Sequence, residues 1–98
     1  MRVATVLGTV TLSTRLPEVP SGQFLIVRPQ SAQALRDGAP ATAESVVAYD
    51  ELGAPRGGLV AITDGREATM PFAPRPVPFD LYSAAIMDVV RVAAEAEV

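Results

Sequence analysis

Apolar and polar positions alternate along residues 2–13, Arg-Val-Ala-Thr-Val-Leu-Gly-Thr-Val-Thr-Leu-Ser, with Val6, Val10 and Leu12 on one side and Val3, Thr5, Leu7, Thr9 and Thr11 on the other. A period of two predicts a strand with one buried and one half-exposed face. Gly8 interrupts the run, and an isolated glycine in a strand marks a bulge or sharp bend of the kind a small barrel needs to close. Thr14–Gly22 contains Pro17, Pro20 and Gly22 and reads as a loop. Gln23–Arg28 predicts a second strand, ended by Pro29, which has no amide to give to a ladder. Residues 30–43 read as connection, with one helical turn over Ser31–Arg36 stopped by Asp37-Gly38.

The chain is organised around Val46–Gly65, where two apolar runs rich in β-branched residues flank a turn carrying Gly53, Pro55, Gly57 and Gly58. This composition predicts a third strand over Glu44–Tyr49, a reversal, and a fourth strand over Leu59–Thr63. The glycines of the corner supply positive φ or let another backbone come close. After Gly65, Arg66–Met70 fits a single helical turn, and Pro71–Pro78, with four prolines in eight residues, reads as an extended loop. Ala84–Val92 mixes alanines that favour helix with Ile86, Val89, Val90 and Val92, which favour strand. It is read as a fifth strand, followed by a frayed polar tail over residues 93–98. Five short strands with Pro-rich loops predict one all-β domain over residues 1–98, a small barrel or sandwich without internal repeat.

Composition sharpens this picture. Ninety-eight residues allow a modest core but not a core and a deep cleft together. Of the apolar residues, sixteen are Ala, so the core is expected to rest mainly on thirteen Val, eight Leu and three Ile. A Val-rich core suits strands, because the branched Cβ restricts χ1 in a helix. Net charge is −3 and no basic cluster occurs, which removes the electrostatic footing for nucleic-acid binding. No apolar run approaches the ~20 residues needed to span a bilayer. The N-terminus lacks the pattern of a signal peptide, and a soluble cytoplasmic protein is the default expectation.

The chain has no His, no Cys and no Lys; all eight basic residues are Arg. Imidazole acid/base chemistry, thiol nucleophiles, zinc and iron-sulfur sites, and lysine-based catalysis are therefore not expected, and neither is a cofactor. Paired carboxylates remain, with Asp64 and Asp80 or Asp50 and Asp88 as candidates for general acid/base work in a small hydrolase. The structural reading is stronger: Asp50, Asp64 and Asp80 stand at turns or in a loop, where an aspartate orders backbone amides. Thr63-Asp64-Gly65 reverses the first two letters of the aspartic-protease signature and is not a match. Asp88, inside an apolar run, is expected to point outward or pair across an interface. Arg56 and Arg66 sit in or beside the glycine turns, as solvated tips or as groups lining an opening. Phe72 and Phe79 bracket the proline stretch and suggest an apolar arm that packs on a neighbouring copy. No residue is assigned a catalytic or metal-binding role.

Four segments in order carry a resemblance: the opening Met-Arg-Val-Ala-Thr-Val-Leu-Gly-Thr-Val-Thr, Val46–Val60 with its Asp50-Glu-Leu-Gly53-Ala54 core, Gly65-Arg-Glu-Ala68, and Pro78-Phe-Asp80-Leu-Tyr-Ser-Ala-Ala85-Ile86-Met-Asp88. The chain resembles the pentameric vertex proteins of bacterial microcompartment shells, the family of the carboxysome and ethanolamine-utilisation vertex proteins. It departs from the family pattern at three places. Pro55 and Gly57-Gly58 replace a small residue and an acidic one after Gly-Ala, Arg66 stands earlier than the usual arginine, and the proline-rich 71–78 loop replaces a polar linker.

The resemblance implies an all-β, five-stranded, OB-like barrel that assembles as a cyclic homopentamer. Such rings cap the vertices of an icosahedral shell of hexameric and trimeric shell proteins in the cytoplasm, with no enzymatic activity, cofactor, nucleic acid or membrane partner. Gly53, Ala54, Arg56, Gly57, Gly65 and Arg66 are then the candidates for lining an axial opening, and Phe72, Arg75, Phe79, Asp80 and Asp88 for subunit contact. Closing a flat hexagonal layer requires five-fold units, and a head-to-tail interface that closes on itself supplies them. A binding module for oligonucleotides or oligosaccharides on an OB-type barrel is the rival reading; it calls for exposed aromatic platforms.

Overall fold

The long first strand, β1 (Arg2–Val10), pairs on one side with β2 (Gln23–Pro29) and on the other with β4 (Leu59–Asp64), both antiparallel, in the computed structural model. The structure describes residues 1–12, 14, 16–19, 22–38 and 42–92. β1 pairs with β2 and β4 through its two edges, and its register with β2 slips between Val6 and Gly8, a bulge at the predicted glycine. Just before the slip, the Val6 backbone extends the contact with the β4 side by bonding to Gly58 (2.9 Å, Val6 N–H donating) and Gly57 (2.8 Å, Gly57 N–H donating). β2 continues to β3 (Val46–Asp50) and β4 to β5 (Leu81–Met87), both antiparallel. A parallel contact at Tyr49 and Tyr82 then joins β3 to β5 and closes the barrel in the order β1-β2-β3-β5-β4.

Small and branched residues fill the interior: Ala4, Val6, Leu25, Val27, Ala48, Val60, Ile62 and Leu81, with Ala54 from the following loop. Six of these nine residues are Val, Leu or Ile, in line with the composition, and Val46 packs against them partly buried. Barrel width grows with strand number, so five strands leave room for little more than methyl and isopropyl groups. Leu25, Ile62 and Leu81 are the large aliphatic exceptions, each worth about 1.5–3 kcal/mol of apolar burial.

Between β2 and β3 lies a helical turn, α1 (Ala32–Asp37), at the predicted place: Ser31 Oγ accepts from the Ala34 amide at 3.0 Å, and Gly38 ends it at φ 66°. After β4, α2 (Arg66–Thr69) leads into a 3₁₀ turn over Met70–Phe72. Pro71 thus lies inside a helical turn rather than opening the extended loop, because a first-turn position needs no amide donor. The fifth strand begins at Leu81 and ends at Met87, earlier at both ends than the Ala84–Val92 expected. Its limits follow its partner. β4 offers a ladder from Asp64, opposite Leu81, back to Leu59, opposite Met87, and past Leu59 the chain turns away at Gly58. Val89 is left 61% exposed. The expected tail over residues 93–98 lies outside the described residues.

Candidate functional site

β3 ends in Tyr49 and Asp50, two consecutive residues that are both buried although their side chains point to opposite faces of the strand. Asp50 orders the glycine corner. Its Oδ2 accepts from the amides of Gly53 (2.8 Å) and Ala54 (3.0 Å) and from Gln23 Nε2 (2.9 Å), and its Oδ1 from the Leu52 amide (3.3 Å). Burial alone pushes the Asp50 carboxyl up, but the bond from Gln23 and those from the Ala54 and Leu52 amides outweigh it. Ser83 adds to them from a position short of hydrogen-bond geometry, and the group is held below the ordinary carboxylate range.

The corner that Asp50 ties down carries positive φ at Gly53 (77°) and Gly57 (85°), as its composition predicts. Ala54 turns back into the core, while Pro55, Arg56 and Gly57 form an exposed tip. Gly65 and Arg66, the second glycine turn, are also exposed but lie at the other end of β4. Six strand residues separate the two turns by about 20 Å, so they do not form one site.

Tyr49 is the centre of a second packed cluster outside the barrel. Phe79 stacks on it at 4.7 Å between ring centroids, and Phe24 (5.3 Å) and Phe72 (5.6 Å) meet it edge-on. Tyr82 lies 6.3 Å away and donates its hydroxyl to Glu51 at 2.9 Å. Burial, the bond to Glu51 and that carboxylate's charge raise the Tyr82 hydroxyl above its usual value. The cluster gathers all five aromatic residues of the chain, and none of them is exposed.

Phe72 and Phe79, expected in an arm that packs on a neighbour, meet Tyr49 of their own protomer and stay partly exposed. The arm is anchored at both ends beside Tyr49, by α2 after β4 and by the start of β5, so its rings meet the protomer's own tyrosine first. Arg75, Asp80 and Asp88 are exposed. Asp80 and Asp64 lie at adjoining strand ends, the Gly65 amide donating to the Asp80 carbonyl at 2.9 Å, and Asp64 pairs with Arg2 at 3.3 Å. Asp50 and Asp88 are not brought together as a pair: one is buried at its turn and the other exposed beyond β5. Sequence reasoning missed Gln23 and Glu51, whose partners lie 27 and 31 residues away; no local pattern marks them.

Large apolar side chains remain uncovered around the protomer, among them Leu7, Val47, Met70, Ile86 and Val89. Val47 stands opposite Ile26 in the β2–β3 register, on the outer barrel wall.

The closed order β1-β2-β3-β5-β4 defines a small OB-like barrel protein. Residues 1–88 match the family described as "Ethanolamine utilisation protein EutN/carboxysome", and the chain belongs to this family. The pentameric shell protein MSM0273 from the RMM microcompartment is similar at 31% identity, with a TM-score of 0.74 over 90% of this chain and 91% of that one. EutN from Escherichia coli is 26% identical, with a TM-score of 0.75 over 93% and 89% of the two chains. CcmL from Nostoc sp. PCC 7120 is 25% identical, with a TM-score of 0.78 over 94% and 92%. No match was found among curated proteins.

Proposed function

We propose that this protein is a structural vertex protein of a bacterial microcompartment: a homopentamer that closes a shell of hexameric and trimeric tiles in the cytoplasm and catalyses no reaction. The observation that carries the reading is the family match over residues 1–88 together with the 31% identity to a pentameric shell protein across nine-tenths of both chains. The protomer's surface supports it. Exposed Leu7, Val47, Ile86 and Val89 are the kind of apolar area that an adjoining copy covers. We place the Pro55–Gly57 tip toward the ring axis, and Asp80 and Asp88 toward neighbouring subunits. The buried Asp50 serves the corner's backbone and leaves no lone carboxylate poised for acid/base work there.

The rival OB-type binding reading is disfavoured by the aromatic cluster, whose rings pack on one another instead of standing out as stacking platforms. Co-production with hexameric shell tiles tests the proposal. Closed polyhedral particles in the electron microscope, replaced by open tubes or sheets when this gene is omitted, are the expected result. Closed particles formed equally well without it would overturn the assignment.

A further inference from the structure

A cavity of about 360 Å³ opens between α2 and the proline arm, lined by Arg66, Thr69, Met70, Arg75 and Val77 with the prolines around them. Among the described residues no carboxylate lines it, in a chain whose net charge is −3. Among the described residues neither Arg66 nor Arg75 takes part in an ion pair; Arg2 and Arg36 do, with Asp64 and Asp37. Each guanidinium presents a planar fork of N–H donors that fits the oxygens of a carboxylate or phosphate. Met70 and Val77 supply an apolar wall beside them.

The frame that carries the two arginines is fixed. Thr69 donates its hydroxyl to the Arg66 carbonyl at 2.9 Å, the Ala73 amide bonds the Met70 carbonyl at 3.1 Å, and the Arg75 amide bonds the Phe72 carbonyl at 2.8 Å. Phe72 is itself held against Tyr49 and Phe79, and the prolines lock φ along the arm. Little backbone freedom is left to lose on binding, which favours affinity. The volume lies at the small end of ligand pockets, room for a few carbon atoms and one anionic group.

We propose that this cavity is a binding site for a small organic oxyanion, a short-chain carboxylate or phosphate held between Arg66 and Arg75 with its apolar part on Met70 and Val77. The site goes beyond the vertex reading and does not rest on it.

Backbone-amide NMR titration of the purified protein tests it, with propionate and inorganic phosphate as separate probes at constant ionic strength. Saturable shifts confined to Thr69, Met70, Ala73, Arg75 and Val77 are expected. A response to propionate alone assigns the site to carboxylates with an apolar tail, and a response to phosphate alone assigns it to phosphoryl groups. Arg66→Gln and Arg75→Gln should each weaken binding about ten-fold, the loss of a charge-assisted contact. Arg56→Gln, at the far end of β4, should leave it unchanged. All three arginines are exposed, so the variants keep the fold, which unchanged amide spectra away from the arm will verify. Shifts that fail to saturate with either probe, or binding that survives both substitutions, would overturn the proposal.

Discussion

The carboxylate of Asp50 lies 2.8 Å from the amide of Gly53, and that contact ties the end of β3 to the glycine corner that launches β4. Asp50 is buried together with Ala54, whose amide it satisfies, so that donor has no water to fall back on. Asp50→Ala is therefore expected to cost about 3 kcal/mol, the loss of charge-assisted bonds together with stranded amides. Asp50→Asn, which keeps one acceptor oxygen, should cost less. Urea unfolding midpoints of the two variants against the parent check the order.

The pH dependence of stability follows from the same group. The Asp50 carboxyl titrates below the ordinary value of 3.8, so its contribution is complete above that value and fades as pH falls through the lower native pKa. Tyr82 works at the opposite limb. Its pKa is raised above 10.0, so its contribution is complete below pH 10.0 and is lost as pH rises through the higher native value. Denaturant midpoints measured from neutral to acid pH should fall less steeply for Asp50→Asn than for the parent. Tyr82→Phe should flatten the alkaline limb alone.

Gly53→Val should destabilise the protein by about 1–2 kcal/mol, and the cause is conformational. At φ 77° a β-branched residue is strained, although a Cβ there meets no atom within 4 Å. Gly53→Asn, which tolerates the left-handed region, should recover most of the loss in a thermal melt.

Gly22 is a contrasting case. A Cβ at this position would lie 2.6 Å from Tyr49 Cζ, inside the ring that the aromatic cluster holds in place. Gly22→Ala should therefore cost about 1–3 kcal/mol through overpacking. Gly8→Ala, where a Cβ meets nothing within 4 Å, should be close to neutral. Paired melts of the two variants, with near-ultraviolet circular dichroism to follow the tyrosines, separate the effects.

Much of this was legible in the sequence because it is local. Alternation marked β1, the isolated Gly8 marked its bulge, Ser31 and Gly38 bracketed α1, and the glycines near Asp50 marked a corner needing positive φ. The limits of β5 were not legible, because a strand stops where its partner stops and β4 turns away at Gly58. Nor was the contact of Phe72 and Phe79 with Tyr49. Both bracket a proline stretch that reads as an arm, and only the closure of β3 against β5 reveals Tyr49 beneath them. The Gln23 contact to Asp50 likewise depends on strand pairing, which no local window contains.

The central claim, that this barrel is one-fifth of a closed ring, is tested most directly by the mass of the purified protein in solution. Size-exclusion chromatography with light scattering should give a species of five times the 10.3 kDa chain mass, constant across dilution. A monomer at every concentration would contradict it.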